Sequence, residues 1–276
     1  SKDGSRRNIA EHYDLGNAFY ATWLDDSMTY SSAVFEGSNS DDLYAAQQEK
    51  YKRIAETAQM QPGDQVLEIG CGWGGFAEYA VKNVGVNMTC ITISQEQHDF
   101  AAARFQREGI SDKIELRMQD YRDTEAGRYD RVASIEMIEA VGEKYWDTYF
   151  GQIAKVLKPG GAAAIQAITV PDDKLEEYLS QVDFISRYIF PGGRLLSHSR
   201  MRECTERVGM LYEPNGEYGK SYAKTLLQWN DKFQAAWTKI RDMGFDERFK
   251  RMWEYYLIHC SVGFDFDQIG VTQVRL

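Results

Sequence analysis

The segment from Val66 to Gly75, VLEIGCGWGG, constrains this chain more than any other. An apolar run ends at Glu68-Ile69 and passes directly into Gly70, Gly72, Gly74 and Gly75. A strand that turns through glycines into a helix is the opening unit of an open α/β sheet. The glycines permit the tight turn, and the free backbone N–H groups at the start of the helix can receive a ligand. Glycines serve ordinary turns as well, so the motif alone does not name that ligand. A dinucleotide site would want G-x-G-x-x-G and an acid at the end of the second strand. The second apolar run here ends Cys90-Ile91-Thr92-Ile93-Ser94, without an acid, and Gln97 follows about one helical turn later.

The surrounding pattern agrees with a sheet of this kind. Strands are predicted at Gln65 to Ile69, Val86 to Ile93, Lys113 to Met118, Tyr129 to Ile135 and Gly161 to Val170, with helices near Gly75 to Val84, Ser94 to Glu108 and Tyr145 to Leu157. Strand and helix in alternation imply a parallel sheet covered on both faces. Ahead of it, Ser5 to Trp23 (with Tyr13, Phe19, Tyr20 and Trp23) and Asp41 to Gln59 read as a helical prelude. Beyond Pro171, helices are predicted at Asp173 to Tyr188, His198 to Val208, Ser221 to Met243 and Asp246 to Ser261, and a last strand at Gly270 to Arg275. With 276 residues, five prolines and no repeat, one domain is expected. Within it, 1–60 is the prelude closing the ligand site, 61–170 the sheet core, 171–265 a substrate layer and 266–276 the final strand.

Several classes drop out. Lys and Arg number 32 against 42 Asp and Glu, a net charge of −10, which argues against holding a nucleic-acid backbone. No apolar run approaches the roughly 20 residues that span a bilayer, and the opening SKDGSRRN has no apolar h-region, so a soluble cytoplasmic protein is expected. Cys71, Cys90, Cys204 and Cys260 form no CxxC pair, and His98, His198 and His259 have no ligand-like spacing, so neither a disulfide framework nor a metal site is expected.

Strand, acid, E-x-G-x-G-x-G and helix resemble the first motif of the S-adenosylmethionine methyltransferases. The resemblance implies a Rossmann-like class I fold with a seven-stranded, mostly parallel sheet and the cofactor across the carboxyl ends of its strands. It places Gly70 and Gly72 at the methionine part, Thr92 and Gln97 near the adenosine, and Asp120 and Tyr121 at the adenine, with Glu68 and Gly74 also in the cofactor set. Tyr13, Tyr30, Ser31 and Ile135 complete the implied cofactor set. Asp120 can equally cap a turn.

Further strings narrow the likeness. HYDLGNAFY (His12 to Tyr20), MTYSSAVF (Met28 to Phe35), AAQQEK (Ala45 to Lys50), ITISQEQ (Ile91 to Gln97), EMIEAVG (Glu136 to Gly142), DFISRYIFPGG (Asp183 to Gly193) and WEYYL (Trp253 to Leu257) together resemble the cyclopropane-fatty-acyl-phospholipid and mycolic acid cyclopropane synthases. What this implies is transfer of a one-carbon unit from S-adenosylmethionine to the cis double bond of a phospholipid acyl chain. A carbocation forms, and a bound bicarbonate removes the proton. The holders of that ion would be Glu139, Ile168 and Tyr222, with Ser32 where the family has Cys and Gln166 where it has His. Both replacements keep a hydrogen-bonding group. Glu136 stands where bacterial and mycobacterial relatives tend to have Gly, adding a carboxylate near the implied sulfonium. Methyl- or methylene-branched products, a small-molecule methyltransferase and a non-catalytic cofactor sensor stay open as alternatives. Peripheral contact with a membrane through Arg6-Arg7, Lys50 to Arg53 or Arg248 to Arg251, and a homo-oligomer, are also compatible with the resemblance.

Overall fold

The structure, a computed structural model, describes residues 15–37 and 41–276. Tyr13, His12 and the Arg6-Arg7 pair lie outside the described residues. Seven strands, β1 (Gln65–Ile69), β2 (Asn87–Thr92), β3 (Ile114–Met118), β4 (Tyr129–Ile135), β5 (Leu157–Thr169), β6 (Glu213–Glu217) and β7 (Gly270–Arg275), form one sheet in the order β3-β2-β1-β4-β5-β7-β6. The first five are parallel, and β7 runs antiparallel to both neighbours. The seven-stranded, mostly parallel sheet expected from the sequence is present.

One strand start moves by several residues, and one strand lies outside the expected set. β5 starts at Leu157 rather than Gly161, because Leu157 pairs with Tyr129 before a register shift carries the chain past Pro159-Gly160. β6 was not predicted at all. Its sequence, EPNGE, is exposed at every position and reads as a turn, and such a strand is tolerated only at the sheet edge where it lies.

Neighbouring residues of the inner strands point to opposite faces, as the pleat requires. Val66, Met88 and Cys90 pack under α1 (Leu43–Thr57), α2 (Gly75–Tyr79) and α3 (Gln95–Arg107), through Tyr51, Phe76 and Phe105. Leu67, Ile91 and Val132 pack against α4 (Trp146–Val156) and α5 (His198–Arg207), through Tyr149, Phe150 and Met201. A third core joins segments far apart in the chain. Phe19, Tyr20 and Trp23 of the prelude pack with Trp229 and Phe233 of α6 (Gly219–Ala235) and with Trp253 and Tyr256 of α7 (Glu247–Asp265). The predicted Ser221 to Met243 helix is in fact α6 and a separate short helix, Trp237–Asp242, and Asp173 to Tyr188 breaks into three short turns of helix. Among the described residues, no helix is long and apolar enough to cross a membrane.

Candidate active site

The strand order reverses between β1 and β4, and the crevice beyond the carboxyl ends at such a point is where open α/β sheets bind ligands. A cavity of about 180 Å³ lies there. On the β1 side its wall is the glycine turn. Gly70 (φ 78°) and Gly72 (φ 53°) both take the left-handed conformation that favours glycine. A Cβ on Gly70 would come within 2.9 Å of Met137, whereas one on Gly72 would meet nothing within 4 Å and would enter the cavity that Gly72 lines. Gly74 serves packing instead: a Cβ there would strike the Phe105 ring at 2.7 Å, and the residue is not part of the cavity wall.

Glu68, Thr92, Gln97, Asp120, Tyr121 and Ile135 also line the cavity, from the ends of β1 to β4. Thr92 Oγ1 donates to Gln97 Oε1 at 3.1 Å and accepts the Ser94 N–H, tying the end of β2 to the start of α3. The Asp120 carboxylate caps its turn through the Arg122 N–H and pairs with the Arg122 guanidinium at 2.6 and 2.8 Å, so its cap role is realised while the residue faces the cavity. Burial lifts the Glu68 carboxyl to about 8, against the opposing pull of the Cys90 thiol, Lys50 and Arg104.

The prelude supplies Tyr30 and Ser31 to the same wall. The Tyr30 ring stands edge-on to Trp23 and Trp229, with centroids 5.4 and 5.5 Å away, and its hydroxyl bonds that of Tyr256 at 2.9 Å. Ser31 is clamped from α1, where Gln47 Nε2 donates to its carbonyl and Lys50 Nζ to its hydroxyl at 2.5 Å. Lys50 is completely buried, which corrects its placement in a headgroup-facing basic cluster. Burial draws its ammonium down to about 7, against the upward pull of Glu136, Asp25 and Glu68.

The five residues implied to hold an anion come together, but around two carboxylates of the chain. Glu136 Oε1 accepts the Ser32 main-chain N–H at 2.8 Å and Gln166 Nε2 at 2.9 Å, and its Oε2 accepts the Tyr222 hydroxyl at 2.8 Å. The Ser32 hydroxyl, expected to face the anion, donates to the Ala33 carbonyl instead, so its contribution is the main chain. The Gln166 amide is oriented by Gln273 Nε2, which donates to Gln166 Oε1 at 3.0 Å. Glu139 Oε1 accepts the Ile168 N–H at 2.6 Å, and its buried Oε2 has no hydrogen-bond partner. Burial first, and then the neighbouring Glu136, push the Glu139 carboxyl up to about 8. Burial also raises Glu136, but there Lys50 and the three donors oppose it.

Glu136 is thus the centre of a cluster drawn from the prelude, β4, β5 and α6. Its φ of 49° is left-handed, a conformation that costs a residue with a Cβ on the order of 1–2 kcal/mol. The sequence signal was the replacement of a customary glycine; the convergence of donors was not visible in it. Gln273 carried no signal in the sequence, and Lys50 none that pointed to this site beyond its membership of AAQQEK. Among the described residues, no group of three His, Cys, Asp or Glu side chains is arranged to hold a metal.

Fold and cavity define the class. The chain superposes with a TM-score of 0.88 on the cyclopropane synthase MmaA2 from Mycobacterium tuberculosis, at 25% identity over 98% of this chain and 97% of that one. The same score, at 27% identity and the same coverage, holds for mycolic acid cyclopropane synthase CmaA1 complexed with SAH and CTAB. These are class I methyltransferase folds. Residues 1–274 match the family described as mycolic acid cyclopropane synthetase, and the chain belongs to that family. It is 39% identical over its whole length to the M. tuberculosis tuberculostearic acid methyltransferase UfaA1, and 40% identical over 96% of its length to the Escherichia coli K12 cyclopropane-fatty-acyl-phospholipid synthase. The chain spans 66% of the length of each of these two relatives.

Proposed function

We propose that this chain is an S-adenosylmethionine-dependent methyltransferase that adds a one-carbon unit to the cis double bond of an unsaturated phospholipid acyl chain. The observation that carries the reading is that the cavity lined by the glycine turn is also lined by Glu136, the carboxylate at which Ser32, Gln166 and Tyr222 converge. The residues present fit the cofactor. Gly72 leaves its wall open to a close backbone approach, and Glu68 offers a buried carboxyl at the cavity for hydrogen bonding. Gln97 and Asp120 stand at the far strand ends. The cofactor supplies an electrophilic methyl on a sulfonium.

An isolated alkene is a weak nucleophile, so the protein must hold it close, keep water away, favour developing positive charge and take a proton. Tyr30, its ring fixed between Trp23 and Trp229, presents an aromatic group at the cavity, and such a face can stabilise a cation by roughly 0.5–2 kcal/mol. Peripheral contact with a bilayer is supported by exposed apolar residues at one-turn spacing along α7, namely Tyr255, Ile258 and Val262, with Phe266 following. Cyclopropane formation is the product proposed. A methylene branch would also require loss of a proton from the cation.

The test is incubation with S-adenosylmethionine and phospholipid vesicles bearing a cis-monoene, followed by mass spectrometry of the acyl chains. Chains heavier by one CH₂ are expected. Unmodified chains together with methylation of soluble amines would overturn the acyl substrate and favour a small-molecule methyltransferase.

A further inference from the structure

Glu136 is held in a conformation and in company that a mere wall residue would not need. Its backbone takes a left-handed φ of 49°, which glycine would adopt freely. Its two oxygens take up the Ser32 N–H, the Gln166 amide and the Tyr222 hydroxyl. These are three of the five positions that the family resemblance assigns to an external bicarbonate. The other two, Glu139 and Ile168, bond to each other. Beside its own hydroxyl, bicarbonate presents to donors the same planar CO₂⁻ group as a glutamate, so the donors that would receive the one are occupied by the other.

We propose that Glu136 is the proton acceptor of the reaction, standing where an external bicarbonate would otherwise bind, so that this chain carries its own base. The inference rests on the acyl-chain reading above. Once the methyl carbon has bonded to one alkene carbon, the neighbouring carbon is cationic. A C–H bond of the added methyl then breaks, its electron pair forms the ring-closing C–C bond to the cationic carbon, and the proton passes to Glu136. Oε1 already accepts two bonds, whereas Oε2 accepts only the Tyr222 hydroxyl and keeps a lone pair, so Oε2 is the atom that takes the proton. The carboxyl returns it to solvent when the product leaves. Gln273 acts as a positioning residue, since it turns the Gln166 N–H toward Glu136.

Two substitutions separate charge from space. Glu136→Gly releases the left-handed backbone and vacates the three donors, while Glu136→Gln fills the site without a charge. With S-adenosylhomocysteine bound, ¹³C-bicarbonate at millimolar concentration is titrated onto each protein and observed by NMR. Binding is expected for Glu136→Gly, and none for the wild type or Glu136→Gln. Turnover on monoene vesicles in buffer stripped of carbon dioxide is then measured. The wild type should be unchanged by stripping, and both variants should fall by roughly 10²- to 10⁴-fold. Added bicarbonate should restore at least about tenfold to Glu136→Gly and nothing to Glu136→Gln. Bicarbonate binding by the wild type, a large loss of wild-type turnover on stripping, or near-normal turnover of Glu136→Gln would each overturn the proposal. If no protein modifies an acyl chain, the acyl-chain reading falls, while the NMR titration still decides whether Glu136 fills the anion pocket.

Discussion

At the glycine turn the cavity wall is main chain, built by one stretch of ten residues and kept open because Gly72 has no side chain to close it. At Glu136 the wall is made of side chains brought from Ser32, Gln166, Tyr222 and Gln273, which are separated by tens to hundreds of residues. The first region works by absence, and a side chain added at Gly72 would take up cavity space. The second works by satisfied polar groups and tolerates no lost partner, because a buried carboxylate stripped of its donors is costly. Two parts of one cavity are therefore expected to fail in different ways, one in ligand binding and the other in turnover.

The largest effect is expected from closing the glycine turn. Gly72→Val places a branched side chain in the cavity and forces it into a left-handed φ, while the strands on either side keep their pairing. Calorimetry should show affinity for S-adenosylmethionine lowered by more than about 10²-fold, with circular dichroism unchanged. Undiminished affinity in a folded variant would move the cofactor elsewhere and dissolve the contrast.

A smaller effect is expected at Glu139, which sharpens the difference between the two carboxylates. Two neighbouring acids do not readily ionise together, and here the three donors favour charge on Glu136 while Glu139, lifted to about 8, keeps its proton near neutrality. Glu139→Gln should therefore lower turnover by less than about tenfold, far from the roughly 10² to 10⁴ of a lost base. It should also change how stability depends on pH. Because the folded value lies above the unfolded 4.5, Glu139 adds stability below that pH and loses it as pH rises through about 8. The denaturation midpoint of Glu139→Gln should accordingly gain on the wild type across this window. A turnover loss as large as that of Glu136→Gln would make Glu139 the base.

The contrast also explains what could be read from residues alone. The parallel strands were legible because β1, β2 and β5 carry short apolar runs and β3 alternates apolar and charged residues, and the glycine turn because its spacing is local. β6 was not, since Pro214 and Gly216 are turn residues that an exposed edge strand accommodates. The union of Phe19, Tyr20 and Trp23 with Trp229 and Trp253 in one core was hidden by distance along the chain, which made prelude and late helices look like separate layers. Family resemblance named Ser32, Glu139, Gln166, Ile168 and Tyr222 as holders of an outside ion, whereas in the structure Ser32, Gln166 and Tyr222 bond Glu136 and Glu139 bonds Ile168. Only the left-handed backbone at Glu136 and the turning away of the Ser32 hydroxyl show where the donors point.

The most direct measurement follows the hydrogens of the transferred methyl. The protein is given S-adenosylmethionine carrying a CD₃ group, together with cis-monoene phospholipid, and the acyl product is weighed by mass spectrometry. If a base in the cavity deprotonates the added carbon, here by removing a deuteron, the product keeps two of the three deuterons in wild-type protein without added bicarbonate. A product that keeps all three would contradict it, because no group would then have taken the proton that Glu136 is placed to accept.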